Sequence, residues 1–223
     1  LPATEVGGDF YDVHELDEGR LSLAIGDVAG HGVSSGLVMS MARAALAVQV
    51  AFRPEVEAVF ETLNRVIYDS AQKRLLTTLC YAVLDARSHE LFYASAGHIY
   101  PYRVSTEGEV RALESTAYPL GVRERLRVEA RRAKLAGGDS LFLSSDGLVE
   151  ARREDNDEPF GFERLEESLA RHSHRGAGGI ASGVLDDLDH FLSVGTTGHE
   201  GAAEREDDLT ILVLTLPRTA DQA

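Results

Sequence analysis

Four aspartates, spread from one end of the chain to the other, stand beside glycines or at the ends of strand-like runs. They lie in Val6-Gly7-Gly8-Asp9-Phe10-Tyr11-Asp12, in Gly26-Asp27-Val28-Ala29-Gly30-His31-Gly32, in Ser144-Ser145-Asp146-Gly147-Leu148 and in Asp207-Asp208-Leu209-Thr210. Three of the four adjoin runs that read as buried strands: Leu21 to Ile25, Ser140 to Leu143, and Leu209 to Leu216. A carboxylate at the end of a buried strand is costly to desolvate unless something positive meets it. Lysine and arginine are missing from these segments, Arg205 lying near the last of them. The obvious counter-charge is a metal ion. Asp oxygens and waters suit hard cations, so Mg²⁺ or Mn²⁺ is favoured over Zn²⁺. Taken singly, each Asp-Gly reads as no more than a turn or a helix cap; it is the set that points to a cage.

The other chemistry-bearing residues are weaker signals. His31 could donate a proton to a leaving oxygen or hydrogen-bond its own glycine loop, and the second reading is preferred. His98, in Ala96-Gly97-His98, reads as locking a strand turn rather than ligating metal. His172 and His174 look like a zinc pair, but residues two apart on a helix do not share a face, and both are read as surface. Cys80 is the only cysteine, which excludes an intrachain disulfide and leaves a small core residue in a strand-like run.

In that order, the four segments resemble the metal-dependent serine/threonine protein phosphatases of the protein phosphatase 2C (PPM) superfamily, in its bacterial SpoIIE/RsbU branch. Ala96-Gly97-His98, Pro119-Leu120-Gly121, Gly138-Asp139 and Phe160-Gly161 with Glu163-Arg164-Leu165 stand where that branch carries similar residues. The resemblance runs from Pro2 to about Leu214. It implies two ions, Mn²⁺ or Mg²⁺, held by Asp9, Asp27, Asp146 and Asp207 with the Val28 carbonyl. Asp27 would bridge both, and the water held by the ions at Asp27 and Asp146 would attack phosphorus. Asp9 would bind directly or through a water. Gly7, Gly8, Gly30 and Gly32 would let backbone approach the ions. Asp12 and Asp208 are expected to stand outside the ligand set, Asp208 as a cap or hydrogen-bond partner. Eukaryotic relatives grip phosphate with an arginine before the first motif; residues 1–8 contain none, and Arg152 is a weak substitute. The implied substrate is a phosphorylated STAS-domain protein, an anti-sigma-factor antagonist whose dephosphorylation frees a sigma factor by partner switching. The alternative is a catalytically idle metal-binding interaction or regulatory domain of the same fold.

Several elements must position these residues. Phe10 to Leu16 and Leu21 to Val28 read as a hairpin turning at Asp17-Glu18-Gly19. Ser34 or Ser35 caps a helix to about Phe52, with Leu37, Met41, Ala45 and Val48 as its apolar face. Pro54 opens a second helix to about Ala71, burying Val56, Val59, Phe60, Leu63 and Ile67. Strands are expected at Leu75–Asp85, Glu90–Ala96, Tyr100–Ser105, Glu109–Leu113, Arg127–Leu135 and Ser140–Ser144, then a short helix near Leu148 to Ala151. Helices follow at Phe162–His172 and Ala177–Leu192, a Gly-rich loop at Gly195–Glu206, and a closing strand. Strands bracketing two helical pairs give an α+β fold, and the resemblance makes it an αββα sandwich of two mainly antiparallel sheets flanked by helices. The phosphatase domain is expected over residues 1–217, with 218–223 a tail.

With 223 residues and a net charge of −15, the chain has one domain's worth of core and no basic surface for nucleic acid. A nuclease is disfavoured for the same reason. An acidic surface also repels a phosphoprotein, although bound cations reverse the sign locally. No signal peptide and no apolar run approaching ~18 residues is evident, which points to a cytoplasmic domain without membrane contact. The start at Leu1-Pro2 suggests a piece of a longer protein in which a sensory or receiver module precedes this domain. A homodimer is left open.

Overall fold

The computed structural model describes residues 7–30, 32–70, 75–194 and 207–218. His31, the Gly195–Glu206 loop and the tail beyond Arg218 lie outside them. The first sheet is ordered β1-β2-β3-β4-β7, from β1 (Phe10–Glu15), β2 (Arg20–Val28), β3 (Thr77–Asp85), β4 (Glu90–Ala96) and β7 (Arg131–Lys134). The second is ordered β6-β5-β8-β9, from β5 (Tyr102–Val104), β6 (Val110–Ala112), β8 (Ser140–Ser144) and β9 (Ile211–Thr215). Every pairing within them is antiparallel. Helices α1 (Val33–Phe52) and α2 (Val56–Ser70) cover the first sheet, and α3 (Gly161–His172) and α4 (Gly176–Ser193) cover the second. This is the expected αββα sandwich.

Period-two alternation divides the strands among three apolar layers. On β3, Leu79, Tyr81 and Val83 face α1 and α2, while Cys80, Ala82 and Leu84 face the other sheet. On β8, Phe142 faces α3 and α4, and Leu141 and Leu143 meet Leu23, Ile25 and Leu91 between the sheets. Strands buried on both faces read as continuous apolar runs, which is why β2, β3 and β8 were legible. Cys80 is fully buried in the inter-sheet layer, and burial pushes its thiol up to about 12. It is an inert core residue.

Some expectations need correction. Neither Ser34 nor Ser35 caps α1: the cap position is Gly32, and the Ser35 hydroxyl donates to the Gly32 carbonyl from inside the first turn. The buried face of α1 is Ser35, Val38, Ala42, Leu46 and Val50, whereas Leu37, Met41 and Val48 are exposed. At 20 residues and a mean hydropathy of 1.4, α1 also has the length and composition to cross a membrane. The expectation of no such run missed this helix because Ser34, Ser35, Gly36, Ser40, Arg43 and Gln49 interrupt its apolar residues without lowering its mean hydropathy enough. Strand β7 spans only Arg131–Lys134. The residues before it cross α2, where Leu126, Val128 and Ala130 pack and the Ala130 amide donates to Glu57.

Two of the resembling motifs are structural. Asn64 of α2 accepts from the Gly121 amide and donates to the Arg123 and Glu124 carbonyls, clamping the Pro119-Leu120-Gly121 loop. Asp139, almost fully buried, accepts from Arg103 at 2.6 Å and from the Ala136 amide at 2.8 Å. A buried carboxylate met by a cation and an amide is a satisfied turn, not a site.

Candidate metal centre

Asp27 sits at the end of β2, opposite Thr78 of β3. Its amide donates to the Thr78 hydroxyl at 3.3 Å. Asp9 lies just before β1, whose Phe10 pairs with Gly26, so Asp9 and Asp27 leave neighbouring strands at the same edge. The Val28 amide donates to the Gly8 carbonyl at 3.2 Å. A side chain on Gly8 would collide with the Val28 carbonyl oxygen and Asp27 Oδ1, and one on Gly7 would collide with the Asp208 carboxylate. Only glycine allows that approach. Gly30 and Gly32 do something else: both have positive φ, 94° and 84°, and serve the turn into α1.

The second sheet brings the other two segments. Asp146 opens a single 3₁₀ turn, Asp146–Leu148, directly after β8, earlier than the expected short helix. Ser145, fully buried, stitches this turn to the last motif. Its amide donates to the Thr210 carbonyl at 3.0 Å, its hydroxyl donates to the Asp208 carbonyl at 3.2 Å, and it accepts from the Thr210 amide at 2.9 Å. A side chain on Gly147 would strike the Asp208 carbonyl oxygen. All four segments therefore meet at one end of the sandwich.

Electrostatics records the same convergence. Burial, then the charges of Asp9, Asp146, Asp207 and Asp208, push Asp27 up to about 7. Asp9 rises to about 6, chiefly through burial, with Asp208 and Asp146 adding to it and the hydroxyls of Ser145 and Thr210 opposing it. Asp146 is raised by burial and by Asp207. The charges that act most strongly on Asp27 have its own sign. Among the described residues Asp9 Oδ2 is buried without a hydrogen-bond partner, a costly state for an acceptor unless a cation meets it. The donor set is all oxygen, as a hard cation requires. Among the described residues no three Asp, Glu, His or Cys side chains draw together into a closed cage. Mg²⁺ keeps several waters and takes one or two carboxylates, so an open arrangement suits it.

Asp208 hydrogen-bonds its neighbour as expected, its amide donating to Asp207 Oδ1 at 2.8 Å, and it is buried while Asp207 is exposed, with its carboxylate against Gly7. Asp12 is turned elsewhere, 3.5 Å from Arg43 of α1 and 3.6 Å from His14. Arg152 is engaged by Asp157, through its carbonyl at 2.8 Å and its carboxylate. His172 is a correction: it is buried, not surface, with Nε2 3.0 Å from Asp187 of α4, while His174 is exposed. Ser168 also donates to Asp187, at 2.6 Å, and Arg171 pairs with it. Ser168, His172 and Asp187 have the residue types of a nucleophilic triad, but the hydroxyl bonds the acid instead of the imidazole. The group is a clasp between α3 and α4.

The profile of the SpoIIE family, described as Stage II sporulation protein E, matches residues 17–217. The chain belongs to the SpoIIE family. Asp9 lies ahead of that stretch, and the other three segments lie within it. Relatives include the phosphoserine phosphatase RsbU of Bacillus subtilis, 28% identical over 96% of this chain and 61% of RsbU. Protein IcfG of Synechocystis is 25% identical over 96% of this chain and 36% of its own length, and the phosphoserine phosphatase RsbP of Bacillus subtilis is 26% identical over 66% and 38%. The chain thus spans about three fifths of RsbU and about a third of IcfG. Among solved structures, the SiaA-PP2C domain of Pseudomonas aeruginosa superposes with a TM-score of 0.81 at 24% identity, covering 96% of this chain and 82% of that one. The RsbU and RsbW domains of a Mycobacterium tuberculosis protein give 0.79 at 29% identity, covering 96% and 58%. The SpoIIE-family chain therefore has the protein phosphatase 2C fold.

Proposed function

We propose that this chain is a metal-dependent phosphoserine/phosphothreonine protein phosphatase whose substrate is a phosphorylated STAS-domain protein, an anti-sigma-factor antagonist in a cytoplasmic partner-switching pathway. The observation that carries the reading is the meeting of Asp9, Asp27, Asp146, Asp207 and Asp208 at one end of the sandwich, where the charges that act most strongly on Asp27 share its sign. The names of RsbU and RsbP, both phosphoserine phosphatases, support the reaction class. In this reading residues 1–217 act as one catalytic domain, regulated by a sensory or receiver module elsewhere in a longer protein.

Asp27 would be the ligand shared by both ions, with the Val28 carbonyl beside it and Asp9 drawn close by the glycines Gly7 and Gly8. Asp146 and Asp207 belong to the second position, from the other sheet. Two divalent cations, when bound, would lower the pKa of water towards neutrality and screen the phosphoryl oxygens. The chain's own contribution is positional. Backbone amides and hydroxyls hold the carboxylates of Asp9, Asp146 and Asp207, and the Thr78 hydroxyl holds the Asp27 amide, so the charge that stabilises an in-line displacement is set before substrate arrives. With so acidic a surface, the attraction for phosphate has to be local to this centre.

The test is phosphate release from p-nitrophenyl phosphate and from a phosphorylated STAS-domain protein, with Mn²⁺ or Mg²⁺ and after exhaustive EDTA. Release is expected to need the metal, to vanish with EDTA and to return on add-back. Undiminished hydrolysis after EDTA would overturn the metal reading. Mn²⁺ uptake without turnover of either substrate would favour the idle regulatory domain.

A further inference from the structure

The hydrogen bonds around His98 form a chain with only one consistent direction. The Ser144 carbonyl, 3.1 Å from His98 Nε2, can only accept, so Nε2 carries the proton. In the neutral ring Nδ1 then accepts, and its neighbour at 2.7 Å is the Thr78 hydroxyl, which donates to it. The lone pairs of that hydroxyl take the Asp27 amide at 3.3 Å. Donation runs from the Asp27 amide to the Thr78 hydroxyl, from that hydroxyl to the imidazole, and from the imidazole to the Ser144 carbonyl, which accepts last. Thr78 stands opposite Asp27 on the first sheet. Ser144 ends β8 on the second, two residues before Asp146. The Ser95 hydroxyl holds His98's own carbonyl at 2.7 Å, and the Gly97 amide donates to the Ala117 carbonyl at 3.0 Å, so the turn that aims the ring is itself anchored. Burial lowers the imidazole to about 4, which agrees with a neutral ring at all ordinary pH.

We propose that His98 is a positioning residue for the metal centre: as the neutral Nε2–H tautomer it ties the Asp27 end of one sheet to the Asp146 end of the other and so sets their separation. The inference rests on the metal-centred reading above and adds to it the part that spaces the ligands. Asp27 and Asp146 come from different sheets whose shared core is apolar and without direction, although the Ser145 and Thr210 hydroxyls also reach across to the Asp9 carboxylate. A hydrogen-bonded ring between the strand ends supplies direction. Outer-shell partners of this kind typically change metal affinity by about 10- to 100-fold.

The test reads Mn²⁺ binding directly, from the loss of the free-ion electron paramagnetic resonance signal, together with unfolding in urea. His98→Leu and Thr78→Val, each keeping much of the side-chain volume, are both expected to weaken Mn²⁺ binding by about 10- to 100-fold in protein that is still folded. The two losses together are expected to be less than the product of the single ones, because one chain is cut twice. His98→Gln, able to reach the Ser144 carbonyl, is expected to recover part of the affinity. Leu188→Ala, in the α3–α4 core, is expected to lower stability and leave Mn²⁺ affinity alone. Wild-type affinity in folded His98→Leu and Thr78→Val would overturn the role of His98 while the metal reading stands. Wild-type protein that takes up no Mn²⁺ would overturn both. Should His98→Leu fail to fold, Thr78→Val decides between the same outcomes.

Discussion

Asp27 is held where its charge is opposed, by burial and by four neighbouring aspartates that push it up to about 7. A lone carboxylate in such surroundings would be better replaced by an amide, so Asp27→Asn is expected to leave the fold at least as stable. The same change takes a carboxylate charge from the proposed metal centre and is expected to lower phosphatase turnover by about 100-fold or more, beyond the usual effect of outer-shell changes. Asp12→Asn loses a surface ion pair with Arg43, worth about 0–1 kcal/mol, and is expected to change turnover by less than about 3-fold. Equal, mild effects in a steady-state assay would mean that the centre is misplaced. Asp9, Asp27, Asp146 and Asp207 were legible because an aspartate beside glycine at the end of an apolar run has few bland explanations. The inward turn of Asp208 was not, nor were Ser145, Thr78 and the direction of His98. Which of two adjacent aspartates turns inward depends on strand phase, and β9 starts only at Ile211. A threonine or serine in a strand looks the same whether its hydroxyl is idle or carries a cross-sheet link.

Helices α1 and α2 show what makes an element readable. On α2, Val56, Val59, Phe60, Leu63 and Ile67 are separated by charged residues, and all five expected residues are buried. On α1, apolar residues surround the axis, so the stripe through Leu37, Met41 and Val48 scores as well as the one through Val38, Ala42, Leu46 and Val50. The sheet beneath, not the sequence period, chooses between them. The choice has an energetic signature. Leu46→Ala is expected to cost about 2–5 kcal/mol in urea unfolding, because it opens a cavity against α2 and β3. Leu37→Ala, on the exposed face, is expected to stay within about 0.5 kcal/mol. Leu37 and Leu46 are about 180° apart around the axis, so reversed costs would mean that the helix is turned by about half a turn from the orientation described. Strand existence was read more easily than strand extent. The segment before β7 alternates like a strand, yet its apolar residues are taken up by α2 and only the last four residues pair with β4.

At the scale of the whole molecule, two opposed titrations share one pH window. Asp9 and Asp27 have raised pKa values, so the folded state holds protons that the unfolded chain has released. Their contribution to stability is present at low pH and fades as pH rises through about 6 to 7. His98 works the other way. Unfolded, it binds its proton near the ordinary value of about 6.5; folded, it refuses the proton until about 4. The unfolded chain therefore carries the extra proton in between, and the His98 contribution is complete above about 6.5 and lost as pH falls towards 4. A wild-type stability curve mixes the two signs. The difference between wild type and His98→Gln isolates one of them, since the carboxylates titrate in both proteins. Measured by urea unfolding in EDTA, the advantage of wild type over His98→Gln is expected to shrink by roughly 2–3 kcal/mol from about pH 7 to about pH 4.5. A difference that stays flat over that range would mean that the ring takes up its proton as freely in the folded protein as in the unfolded chain. The single-direction chain from Asp27 to Ser144 would then be wrong, because a doubly protonated imidazole has no lone pair to offer Thr78.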